Sequence, residues 1–174
     1  MREPFFIQTP RLGIRPTTVE DAKFILELLN SPLWKKNIGD RNLHTVEDAQ
    51  EYIQNRFLAK QKHPALKNNT VILLESREPI GTCGIYSKEG LDSFDLGYGF
   101  LPQFHGKGLA KEAAQAVCQY AFSCWHLNKL SALTLPSNKP SSQLLLSLGF
   151  KNHGPFQFPQ SDEILTLYSL DNPL

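Results

Sequence analysis

Cysteine is scarce in this 174-residue chain, and the three present, Cys83, Cys118 and Cys124, form no CxxC pair. An odd number without paired spacing argues against a disulfide framework or a zinc site and points to a reducing cytoplasm. Charge of one sign is lacking too: 18 Lys and Arg stand against 17 Asp and Glu, a formal net charge of +1. That balance argues against a broad nucleic-acid or anionic-membrane surface, so neither partner is expected. No window approaches the apolar length of a membrane span, and the opening MREPFFIQTPRL has no stretch long enough for a secretory signal peptide. Internal repeats and low-complexity tracts are missing. His44, His63, His105, His126 and His153 are scattered, none at ligand spacing to a second His or Cys, so no metal is expected. What these absences leave is one domain over 1–174, long enough to bury roughly 70% of its unfolded surface.

The hydrophobic patterning reads as a mixed α/β or α+β layered sheet. A first strand is expected over 10–16, between Pro10 and Pro16. Thr17 and Glu20 have capping-box spacing and open a helix whose apolar stripe is Phe24, Ile25, Leu28 and Leu29. Thr45 and Asp48 repeat the signal before a second helix. The segment between them, SPLWKKNIGDRNLH, reads as irregular and as a candidate substrate wall. Strands are expected over 70–75, 79–86, 93–101, 129–135, 150–156 and 163–169. Alanine-rich residues 108–124 make the clearest helix, with Leu109, Ala113, Val117 and Tyr120 on one face. A short helix from about Pro140 ends at Gly149. The count is about seven strands and four helices.

Gln103-Phe104-His105-Gly106-Lys107-Gly108 lies between a strand and the start of the alanine-rich helix. A helix N-terminus leaves N–H groups free and carries partial positive charge. Glycines at 106 and 108 let the backbone curl around a diphosphate, and Lys107 and Lys111 add charge. A GxG pair alone serves a turn as readily as an anion, and the segment has neither a Walker lysine nor a three-glycine dinucleotide fingerprint.

Its context is more specific. Q-x-x-G-x-G before an alanine-rich helix resembles the coenzyme A loop of the GNAT acetyltransferase superfamily. TPRLGIRPTTVEDA, LGYGFLPQFHGKGLAKEA and NKPSSQLLLSLGF are similar, in order, to segments of its RimJ/RimL-like branch, which acetylates protein N-termini. The resemblance runs from about Thr9 to Leu170. It implies a mostly antiparallel sheet with a V-shaped splay between the fourth and fifth of seven strands, acetyl-CoA as cofactor, and transfer of an acetyl group to a primary amine of a small molecule or a protein N-terminus. By the same resemblance, Phe100, Leu101 and Pro102 line the pantetheine arm. The backbone of His105, Gly106, Lys107, Gly108, Leu109 and Ala110, with Gln103 at the head of the loop, holds the diphosphate. Asn138 and Ser141 contact the cofactor near its thiol.

Acetyl transfer needs a neutral amine, a polarised thioester carbonyl and a proton for the leaving thiolate. The N–H of Phe100 or Leu101 is the candidate for polarising the carbonyl, unless the sheet ladder claims it. Many members of the superfamily protonate the thiolate with a tyrosine early in the last helix. Here those positions are Leu144, Leu145 and Leu146, so Ser141 is the substitute, with helix capping as its alternative role. Asp95 stands where the branch often carries an acid and is the candidate base, or a solvent-facing strand residue. Tyr98 belongs to the same signature, as a catalytic or acceptor-site residue or as core. Trp34 is a candidate acceptor wall or a buried anchor. The missing tyrosine keeps a second function open: a non-catalytic coenzyme A sensor or scaffold. Monomer and homodimer are both compatible with the sequence.

Overall fold

The computed structural model describes residues 6–59 and 65–173. His63 and Met1 to Phe5 lie outside the described residues. Eight strands form one sheet in the order β1-β2-β3-β4-β5-β6-β8-β7. They are β1 (Ile7–Gln8), β2 (Leu12–Pro16), β3 (Asn69–Leu73), β4 (Glu78–Tyr86), β5 (Phe94–Phe100), β6 (Lys129–Thr134), β7 (Lys151–Phe156) and β8 (Leu165–Asp171). Every neighbouring pair is antiparallel except β5–β6. The expected count of about seven is one short. The expected strand at 10–16 is the second of a hairpin, whose two-residue first strand is too brief to carry an alternating pattern.

Among the described residues five α-helices cover the sheet: α1 (Ala22–Asn30), α2 (Pro32–Asn37), α3 (Val46–Tyr52), α4 (Leu109–Ser123) and α5 (Lys139–Ser147). The segment read as irregular contains α2, a one-and-a-half-turn helix with Pro32 at its first position, where proline's missing N–H costs nothing. The capping box near α1 is shifted by one residue. Thr18, not Thr17, has its N–H bonded to the acid three residues on, Asp21 Oδ2 at 2.9 Å. Thr17 is buried and its hydroxyl is taken by Thr70 and Asn68. The box at Thr45 and Asp48 forms as expected.

Two apolar layers flank the sheet. On one side α4 lays Leu109, Ala113 and Val117 against Leu12, Ile80, Leu96 and Phe100, while Tyr120 is half-buried at the rim. Burying such a side chain stabilises by about 1.5–3 kcal/mol, far more than the helix propensity of any one alanine. On the other side α1 and α3 pack Ile25, Leu28, Leu29, Ala49 and Ile53 together with Leu101.

The feature that positions the site is the β5–β6 junction. These parallel strands pair only at Phe94↔Leu130 and Asp95↔Ser131. Beyond Asp95 each strand is held on its far edge, β5 by β4 through Phe100 and β6 by β8 through Thr134. The two therefore diverge, and a cleft opens from Asp95 outward. In the eight-strand numbering the expected splay lies between the fifth and sixth strands.

Candidate active site

At the mouth of the cleft, β5 runs through a short 3-10 turn (Pro102–Phe104) into α4. Gly106 and Gly108 both have φ of +74°, a left-handed conformation that glycine adopts without Cβ strain. Gly108 is the N-cap of α4, and its carbonyl takes the first helical bond, from Glu112 N–H. Among the described residues, no protein acceptor engages the amides of Gly106, Lys107, Gly108, Leu109, Ala110 and Lys111. A Cβ on Gly106 would meet nothing within 4 Å, so that side of the loop faces open space. Free amides, a helix N-terminus and the Lys107 and Lys111 side chains fit a diphosphate. The amide of His105, expected among the diphosphate donors, is already engaged. The His105 N–H donates to the Pro102 carbonyl at 3.2 Å, and the His105 ring donates from Nε2 to the Phe100 carbonyl at 2.8 Å. Gln103 and Pro102 are exposed beside this turn.

The ladder separates the two candidate donors on β5. Leu101 N–H is bonded to the Ile80 carbonyl at 2.9 Å, so it is not free to polarise a thioester. Gly81 stands opposite Phe100. With the bond passing through the neighbouring pair, Phe100 occupies a non-hydrogen-bonded position, and its N–H points away from β4. That is the side from which β6 has withdrawn.

Across the cleft, α5 begins at Asn138, whose Oδ1 accepts the Ser141 N–H at 3.4 Å. Asn138 is thus the cap, which leaves the Ser141 hydroxyl for other work. That hydroxyl lies 2.8 Å from the Tyr98 hydroxyl. Tyr98 sits on the α4 face of β5, between Leu96 and Phe100, and reaches over the gap to α5. Burial pushes its phenol up to about 12, against the opposing effect of the Ser141 bond. A phenol so raised keeps its proton through the physiological range and can act as a donor.

Asp95, Gly97 and Gly99 alternate onto the other face. Asp95 is not solvent-facing: it is 3% exposed at the apex of the cleft. Its Oδ2 pairs with Lys88 Nζ at 2.7 Å, and its Oδ1 is buried with no partner among the described residues. Burial raises its pKa, and Lys88 acts in the opposite direction. Tyr86 fills the space beside Gly97, and Trp34 from α2 fills that beside Gly99, where an added Cβ would come within 2.4 Å of the indole. The Trp34 Nε1–H is itself buried without a partner among the described residues.

Sequence reasoning passed over two residues at this mouth. Arg11 and Glu112 form an ion pair at 2.6 Å, and Arg11 Nη1 donates to the Lys107 carbonyl at 2.9 Å. They are 101 residues apart, so no local spacing signals them. Among the described residues no three His, Cys, Asp or Glu side chains gather as a metal site, and no helix is long and apolar enough to cross a membrane.

Comparison with known proteins agrees with this geometry. The acetyltransferase (GNAT) domain family matches residues 11–151. An uncharacterized N-acetyltransferase of Bacillus subtilis, YnaD, is 30% identical over 159 residues, covering 90% of each chain. A 59-residue stretch, 34% of this chain and 30% of the relative, is 39% identical to the ribosomal protein uS5-alanine N-acetyltransferase of Escherichia coli. The solved structure of RimL, a ribosomal L7/L12 alpha-N-protein acetyltransferase in complex with coenzyme A, superposes with a TM-score of 0.81 at 14% identity, covering 97% of this chain and 98% of that one. The chain belongs to the acetyltransferase (GNAT) family, with ribosomal-protein-alanine acetyltransferases among its homologues, and is an N-acetyltransferase.

Proposed function

We propose that the chain transfers the acetyl group of acetyl-CoA directly to a primary amine, at a protein N-terminus or on a small molecule. The observation that carries this reading is the run of amides from Gly106 to Lys111 with no acceptor among the described residues, set at the mouth of a cleft between diverging strands. Coenzyme A in the RimL structure supports it.

The acetyl thioester supplies an activated acyl group, and the residues of this chain divide the remaining tasks. The loop amides and Lys107 neutralise the diphosphate. Phe100, Leu101 and Pro102 border the pantetheine arm, and the Phe100 N–H polarises the thioester carbonyl. Asp95 takes a proton from the incoming amine through Oδ1, which has no partner among the described residues; burial raises its pKa and so strengthens it as a base. Ser141, backed by Tyr98, hands a proton to the departing thiolate. Because Asp95 and Tyr98 lie on opposite faces of β5, two different protons move: one is taken up by Asp95 on one side of the sheet, another is given up through Ser141 on the other, and exchange with solvent restores both groups. Asn138 sets the start of α5 and hence the position of Ser141. Trp34, on the same face of β5 as Asp95, walls the acceptor site, and Tyr98, on the opposite face, closes the thiol side of the cleft.

The test is a screen of amines and short peptides with acetyl-CoA, read by mass. A gain of one acetyl group on an acceptor, with release of free coenzyme A thiol, is expected. Binding of coenzyme A with no turnover across the panel would instead make the chain a sensor.

A further inference from the structure

Among the described residues, one side chain from outside the loop bonds to its backbone, that of Arg11. Arg11 follows the β1–β2 turn at one edge of the sheet, and α4 crosses that edge. Glu112, in the first turn of α4, accepts bonds from Arg11 N at 3.0 Å, Arg11 Nε at 2.6 Å and Thr9 Oγ1 at 2.6 Å. With the backbone and two side chains engaged, the Arg11 guanidinium has little freedom to rotate. Its remaining Nη1–H groups are aimed at the loop, and one donates to the Lys107 carbonyl at 2.9 Å. Its Nη2 lies 3.6 Å from where a Cβ on Gly108 would stand.

That last bond has a consequence fixed by peptide geometry. The carbonyl of Lys107 and the N–H of Gly108 belong to one planar trans unit and point in opposite directions. Tying the carbonyl to Arg11 therefore turns the Gly108 N–H toward the open side of the loop. Gly108 has no Cβ to favour one orientation, and the neighbouring Gly106 gives the loop further freedom, both at φ of +74°. A loop so permissive needs an external restraint to present its amides in one arrangement, and ordering it only on binding would weaken affinity.

We propose that Arg11 is a positioning residue for cofactor binding: clamped by Glu112 and Thr9, it locks the Lys107–Gly108 peptide with its N–H directed at the diphosphate. The inference rests on the loop being the diphosphate site. It does not rest on Arg11 touching the cofactor. Lysine cannot replace it, because one ammonium has no rigid fork to hold a carboxylate and a carbonyl at the same time.

The test uses the full chain, ¹⁵N-labelled, titrated with coenzyme A, for the parent and for Arg11→Lys and Arg11→Ala. In the parent, coenzyme A is expected to shift the amide signals of Gly106 to Lys111. In both variants the Gly108 signal should already be displaced in the free protein. The Kd should rise by about tenfold, the scale of one charge-assisted hydrogen bond. Thermal melts establish that the variants are folded. Parent loop signals that ignore coenzyme A would remove the diphosphate assignment itself. Shifted parent signals, with an Arg11→Lys variant that keeps the parent Kd and Gly108 shift, would leave that assignment standing and overturn the positioning role. A lower melting temperature with unchanged Kd would do the same, because a purely structural Arg11 affects the folded fraction and not the affinity of folded molecules.

Discussion

The pairing of Tyr98 with Ser141 yields a prediction that separates a proton relay from a coincidental contact. In Tyr98→Phe the ring keeps its place between Leu96 and Phe100 and only the hydroxyl is lost. That hydroxyl makes one short bond, 2.8 Å to Ser141 Oγ. Ser141 is half-buried, so its hydroxyl can recover a water partner. The net loss should be about 1 kcal/mol, a fall in Tm of roughly 2–4 °C for a chain of this length. Catalysis should suffer far more. Loss of a positioned general acid costs roughly 10²–10⁴-fold, so kcat should drop by at least about 10²-fold in Tyr98→Phe and in Ser141→Ala. If the two hydroxyls act in series, either deletion breaks the same path, and the double variant should be no slower than the worse single one. If they act independently, the losses should multiply. The assay is single-turnover acetyl transfer to an acceptor from the screen, with Kd for coenzyme A measured alongside. A kcat within about twofold of the parent in either single variant, or losses that multiply, would refute the relay.

Other consequences can be checked with the same protein. Asp95→Asn should lower kcat/KM by about 10²-fold at neutral pH, with the deficit shrinking as pH rises and the amine deprotonates unaided. In the parent, burial raises the Asp95 pKa, so its acidic limb in the kcat/KM profile should lie above the ordinary carboxylate range, and in Asp95→Asn only the limb of the amine itself should remain. Gly108→Asp should sharply weaken coenzyme A binding in calorimetry while circular dichroism stays that of the parent, because a side chain strains a φ of +74° and its Cβ, 3.6 Å from Arg11 Nη2, sets a carboxylate in competition for the guanidinium that holds the Lys107 carbonyl. Asp21→Ala should cost about 3–5 kcal/mol in urea denaturation, since it strips a buried partner from Arg15 as well as acceptors from Thr70 and Thr18.

The elements legible in the sequence are those whose signal is local. The α4 stripe, the Thr45–Asp48 box and the stop at Gly149, with φ of +92°, each depend on residues within a turn or two. The misreadings arise where tertiary contacts choose between equal local options. Thr17–Glu20 and Thr18–Asp21 have the same spacing, and only Thr70, from β3, shows that Thr17 is committed elsewhere. Phe100 and Leu101 are adjacent and apolar, and only the register against β4 directs one N–H into the ladder and the other into the cleft. Tyr98 and Ser141 could be named separately by resemblance. Their contact spans 43 residues, and no spacing rule foretells it.

The placement of Asp95 follows from the same topology. A buried carboxylate with an unpaired oxygen destabilises a fold unless something offsets it, and Lys88 engages only one of its two oxygens. Asp95 lies at the last pair that β5 makes with β6. One residue earlier its side chain would point, as that of Phe94 does, to the α4 face. One residue later its side chain would point to the α4 face, among Leu96 and Phe100, where a charge has no partner. At its actual position it faces the helices that carry Trp34 and Tyr52, at the apex from which the cleft opens. On the proposed mechanism the splay does two things at once: it frees the backbone of β5 for the donor, and it gives an otherwise unfavourable carboxylate a place where an incoming amine would supply the missing partner.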